Sequence, residues 1–147
     1  MIVYFDTSAL LKAYVQEKGS AEVLALMDEG NNLFGSTVLT KVEMVSAIQR
    51  AIRTTGSASI NATKAWQDFL DDWDAFTRLR VTAVTIERAS DIAWKYGLRG
   101  YDSLHLAAAL IWQETLDTKV TFAAFDHTLL LASQKAGLEA WPQGLVS

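Results

Sequence analysis

The sequence predicts an α/β fold, a five-stranded parallel sheet flanked by helices. Short β-type runs alternate with segments of helical period along the whole chain, the pattern of strand–helix units. With 147 residues, half of them hydrophobic, the chain can bury roughly 70% of its unfolded surface around one core. There is one proline, and no Ser/Gly-rich run, charge block or internal repeat marks a linker. A single domain over residues 1–147 is expected.

Each element follows from its local pattern. Ile2 to Phe5 is an apolar run and reads as the first strand, and the helical run Thr7 to Gln16 follows directly. Ser20 to Glu29 reads as a second helix and Asn32 to Gly35 as a strand. Thr40 to Thr54 is helical, with Thr40 and Glu43 in the Thr-x-x-Glu spacing of a capping box. Ser59 to Leu79 reads as one long helix, in which Trp66, Phe69, Trp73 and Phe76 recur at spacings of three, four and three. Val81 to Val84 is expected as a strand and Ile86 to Tyr96 as a helix. Tyr101 to Leu116 is helical and apolar all round, which predicts a buried helix. Lys119 to Ala123 reads as a strand, His127 to Lys135 as a helix and Leu138 to Trp141 as the fifth strand.

Composition narrows the function classes. No cysteine is present, which excludes disulfides, thiolate metal sites and cysteine catalysis. The start MIVYFD lacks the pattern of a signal peptide, and the most apolar run, Leu104 to Trp112, is too short to span a bilayer. A soluble cytoplasmic protein with no membrane association is expected. The net charge of −4 argues against a broadly basic nucleic-acid binder. Neutralising four of the 17 acids brings the balance near zero, and Lys12, Lys41, Arg50, Arg53 and Arg99 could still form a local basic rim.

Four acids stand where a strand ends or a helix begins: Asp6, Glu43, Asp102 and Asp126. Asp6 and Asp126 each follow a strand and precede a helix, so either could be a plain N-cap. Glu43 has the capping-box alternative, with Val38, Val42, Val45 and Ile52 taken as its helix's apolar face. Asp102 opens a buried helix, and a charge there wants a partner. Carboxylates at these points can converge above the carboxyl edge of a parallel sheet, where open α/β folds place ligands. Such a cluster repels itself and is relieved by a divalent cation. Oxygen-only ligands select hard ions such as Mg²⁺, which suit phosphodiester hydrolysis by a metal-bound water.

The stretches FDTSALLKAY, TKVEMVSAI, RGYDSLHLAAAL and FDHTLLLAS resemble, in order and over nearly the whole chain, the acidic motifs of PIN-domain nucleases, and most closely those of the VapC-type toxins. The resemblance implies a three-layer PIN-like fold and a Mg²⁺- or Mn²⁺-dependent endoribonuclease acting on RNA. It further implies a homodimer and a cognate antitoxin protein as inhibitor. Carried over by position, Asp6, Glu43, Asp102 and Asp126 are the catalytic, metal-binding acids and Ser8 is a supporting hydroxyl. Ala124 stands where the family often has Thr or Ser. A catalytically silent PIN-like scaffold and another Mg²⁺-dependent phosphate-transfer domain are the alternatives. The full set of acids disfavours silence, and Ser8 two residues after Asp6 breaks the Asp-x-Asp pattern of one phosphatase class.

Other polar residues read more plainly. His105 is either a ligand or general base or, as a histidine on a buried helix, a core residue with satisfied ring nitrogens. His127 reads as a rim residue, and Asp68, Asp71, Asp72 and Asp74 as a solvated face opposite the aromatic stripe. That stripe is either core, packed on the Thr40 to Thr54 helix, or forms with Leu10, Leu11 and Tyr14 a groove for an amphipathic antitoxin segment.

Overall fold

The computed structural model describes residues 1–55 and 61–146, with the side chain of residue 55 left out. The chain runs β1 (Ile2–Phe5), α1 (Thr7–Leu11), α2 (Ser20–Asp28), β2 (Leu33–Thr37), α3 (Thr40–Thr55), α4 (Ala62–Trp73) and β3 (Thr77–Leu79). It continues through α5 (Ala83–Tyr96), α6 (Gly100–Leu116), β4 (Val120–Ala123), α7 (His127–Ala136), β5 (Glu139–Trp141) and a 3₁₀ turn at Gln143–Leu145. The five strands are all parallel, in the order β3-β2-β1-β4-β5.

Successive residues of β1 face opposite sides of the sheet, so the strand feeds two cores. Val3 and Phe5 pack with Leu10, Val23, Met44, Phe69, Trp73 and Phe76 on one side. Tyr4 packs with Leu106, Leu110, Phe122, Leu129 and Leu130 on the other. Helices thus cover both faces, which gives the three layers expected. The strand order reverses at β1: the chain leaves it toward β2 and returns to pair β4 on its other edge. The carboxyl ends of β1 and β4 therefore flank the crevice where this class of sheet binds ligands.

Glycine matters where β2 meets α6. A Cβ on Gly35 of β2 would lie 2.6 Å from Trp112 of α6, so the bare backbone lets the indole lie against the sheet.

The aromatic stripe is core. Phe69, Trp73 and Phe76 are buried, and Phe76 lies against Phe5 and Phe34. Leu10 is fully buried too, whereas Leu11, Tyr14 and Trp66 at the edge of this cluster are partly buried. The long helix expected to reach Leu79 ends at Trp73, because the chain turns to lay Thr77, Arg78 and Leu79 beside Gly35, Ser36 and Thr37; its expected start at Ser59 lies outside the described residues. The strand expected at Val81 to Val84 is instead the start of α5, since Thr82 caps that helix in a reciprocal pair with Thr85. The first helix stops at Leu11 rather than Gln16. In α3 the core face is Met44 and Ile48 with Ile52 partly buried, whereas Val42 and Val45, and Val38 just before the helix, are exposed.

Candidate active site

Asp6 leaves the end of β1, and its backbone N–H donates to the Ala123 carbonyl of β4 at 3.0 Å. Its carboxylate caps α1 by accepting from the Ala9 N–H at 2.8 Å, and the Ser8 hydroxyl lies 2.9 Å from each carboxylate oxygen. Capping and a place in the site are therefore compatible. Only 5% exposed, Asp6 is pushed up to about 6 by burial; the His105 ring and the bonds from Ala9 and Ser8 pull it down, and the charge of Asp102 adds to the rise.

Glu43 lies in the first turn of α3 but makes no capping box with Thr40, whose hydroxyl is buried against Ser36 at 2.6 Å. Glu43 Oε1 instead meets the Thr7 hydroxyl at 3.0 Å and His105 Nε2 at 2.8 Å. Burial raises Glu43, yet the contacts from His105 and Thr7 outweigh it and hold the carboxyl below its ordinary value. His105 is 3% exposed, and its Nδ1 lies 2.7 Å from the Tyr4 hydroxyl across the core. Burial pushes the Tyr4 phenol well above its ordinary value, so that hydroxyl keeps its proton. Sequence reasoning missed Thr7, whose only signal is its place beside Asp6 in the first turn of α1.

Asp102 sits in the first turn of α6, which is buried as its sequence predicts and whose N-terminal dipole favours a carboxylate there. Asp126 caps α7 by accepting from the Leu129 N–H at 2.9 Å. Arg99 reaches over both, 3.4 Å from Asp102 and 3.9 Å from Asp126. It is 83% exposed, so water screens these pairs and they add little stability.

These residues line one cleft of about 680 Å³, with Asp6, Ser8, Glu43, Asp102, His105 and Asp126 on its wall. All four sequence-predicted acids and Ser8 are thus brought together from β1, α3, α6 and β4. Of the expected basic rim, Arg50 and Arg99 line the cleft, while Lys12 is turned to Glu17 and the Phe125 ring. His127 is exposed and Ala124 is fully buried in the core. Asp68 pairs with Lys64, Asp72 accepts from the Tyr14 hydroxyl, and both stand away from the cleft.

The wall offers oxygen donors that suit a hard divalent cation. Among the described residues, no group of three or more His, Asp and Glu side chains could hold a metal ion as it stands. The fit is that of an open site, with several carboxylates and room for water and a phosphate. The Asp6 carboxyl, raised chiefly by burial with a smaller contribution from the charge of Asp102, is one that a bound cation would return to its ionised form.

The family model described as PIN domain matches residues 3–129. Ribonuclease VapC45 of Mycobacterium tuberculosis (strain CDC 1551 / Oshkosh) is 33% identical, over 98% of this chain and 97% of the relative. Among solved structures, PAE2754 from Pyrobaculum aerophilum superposes with a TM-score of 0.62 at 17% identity, over 99% of this chain and 88% of that one. A toxin-antitoxin complex from Klebsiella pneumoniae gives 0.53 at 14% identity, over 81% and 83%. The parallel sheet, the ordered acids at its carboxyl edge and these matches lead to one assignment: the chain belongs to the PIN-domain family, within its VapC branch.

Proposed function

We propose that the chain is a divalent-metal-dependent endoribonuclease, hydrolysing RNA phosphodiester bonds in the cytoplasm as the toxin of a toxin–antitoxin pair. The observation that carries this reading is the gathering of Asp6, Glu43, Asp102 and Asp126 in one cleft at the strand-order reversal, in a chain 33% identical to a protein named as a ribonuclease. The whole chain forms the functional unit.

Asp6, Glu43, Asp102 and Asp126 would hold Mg²⁺ or Mn²⁺. When bound, the ion would supply an activated water and charge stabilisation at the phosphoryl oxygens. Ser8 holds the Asp6 carboxylate in place, and Arg99 and Arg50 stand on the cleft wall to meet RNA phosphates. The test is cleavage of total cellular RNA with Mg²⁺, with Mn²⁺ and with excess chelator, followed by mapping of new ends. Undiminished cleavage in chelator would falsify the metal mechanism.

The partners are an antitoxin and a second copy of the chain. A complex of toxin and antitoxin is what the Klebsiella pneumoniae structure is named for. Expression alone is expected to arrest growth, and co-expression with the adjacent reading frame is expected to relieve it and yield a co-purifying complex; harmless expression of active protein rejects the toxin role alone. For the homodimer, a depression of about 440 Å³ is lined by Leu39, Val81, Leu104 and the exposed Ile86 and Tyr101. An apolar surface of this kind suits a self-complementary interface.

A further inference from the structure

Glu43 and His105 lie 62 positions apart, and Tyr4 and His105 are 101 apart, so their alignment is a product of the fold. His105 has a phenol at one ring nitrogen and a carboxylate at the other. An ionised carboxylate only accepts hydrogen bonds. The ring proton that serves it must therefore stand on Nε2, and Nδ1 of the neutral ring is left to accept from the Tyr4 hydroxyl. Thr7 adds a second donor to the same oxygen, Oε1. Among the hydrogen bonds of the described residues, Oε2 of Glu43 takes part in none.

We propose that His105 is a positioning residue for Glu43, engaging Oε1 together with Thr7 so that Oε2 remains the oxygen offered to the metal. Tyr4 acts one step behind, fixing which ring nitrogen carries the proton. The arrangement parallels the hydrogen-bonded outer partners that orient ligands in metal sites. With Nε2 turned to Glu43 and Nδ1 to Tyr4, His105 acts through Glu43 in this proposal rather than on the ion itself. This inference rests on the metal reading above, and its test separates the two.

In the metal-free protein, long-range ¹⁵N–¹H spectra of the imidazole are expected to show the His105 proton on Nε2; a proton on Nδ1 alone overturns the proposal whatever the metal does. Mn²⁺ isotherms are then measured for the wild type, His105→Leu, His105→Gln and Tyr4→Phe, each checked for folding by its melting curve. His105→Leu is expected to weaken Mn²⁺ binding by about 10- to 100-fold. His105→Gln keeps an N–H donor near the position of Nε2 and is expected to restore most of that loss. Tyr4→Phe, which leaves Glu43 and the ring in place, is expected to weaken binding by a smaller factor and decides the matter if the leucine variant fails to fold. Wild-type affinity in both His105→Leu and Tyr4→Phe, or a glutamine variant no better than leucine, overturns the positioning role and leaves the metal reading standing. A wild type that binds no Mn²⁺ overturns both.

Discussion

At the scale of single residues, Asp6 gives the site a measurable pH signature. Its folded value of about 6 lies above the ordinary 3.8, so the metal-free fold favours the protonated acid. The stability it contributes is fully present below the unfolded value and is lost as pH rises through about 6; the loss between pH 4 and 7 is on the order of 3 kcal/mol. Chemical denaturation of the metal-free protein across that range, compared with Asp6→Asn, checks it: the variant is expected to lack this component. Asp102→Asn removes one charge from the same cleft with little change of shape. Cleavage is expected to fall by about 100-fold or more, since even outer partners of a metal ligand cost 10- to 100-fold, while the melting temperature stays level or rises. Unfolding of the variant, with no change in metal affinity, would make Asp102 a structural cap. The acids themselves were legible because each stands at a strand end or helix start. Thr7 and the bond from His105 to Glu43 were not, because they depend on which side chains meet across the fold.

At the scale of elements, the closest fit is between β2 and α6. Gly35→Ala places a methyl group within 2.6 Å of the Trp112 ring, and the crowding is expected to cost about 1–3 kcal/mol in denaturant unfolding. An unchanged midpoint would mean that α6 moves freely on the sheet. Trp73→Ala, in the stripe that the sequence left open between core and groove, is expected to cost about 3–5 kcal/mol, far more than loss of a surface aromatic. The strands β1 and β4 were readable as apolar runs because both are buried in the middle of the sheet. β3 was not: its three residues include the exposed Arg78 and become a strand through pairing with Gly35 to Thr37. Its neighbour Val81 to Val84 has better β-type composition, yet the hydroxyls of Thr82 and Thr85 favour a helix start. The exposed valines of α3 show the same limit, for hydropathy alone does not say whether an apolar face meets the core or another molecule.

At the scale of the whole molecule, the apolar surface around Ile86 bears on assembly. Light scattering is expected to report a dimer for the wild type and a monomer for Ile86→Glu, because a buried charge at the interface lacks a partner; a dimer in both would remove this surface from consideration. The pairing of β1 with β4 reaches further. Asp6 is anchored to Ala123 by a backbone bond, and the last acid of the cleft is Asp126, so the wall closes only after most of the 147 residues have left the ribosome. A nascent chain halted before β4 carries Asp6, Glu43 and Asp102 without the strand that seats the first of them. Synthesis itself thus delays the assembly of the site: the acid wall can form only once β4 and the start of α7 have emerged to seat Asp6 and bring Asp126 beside it.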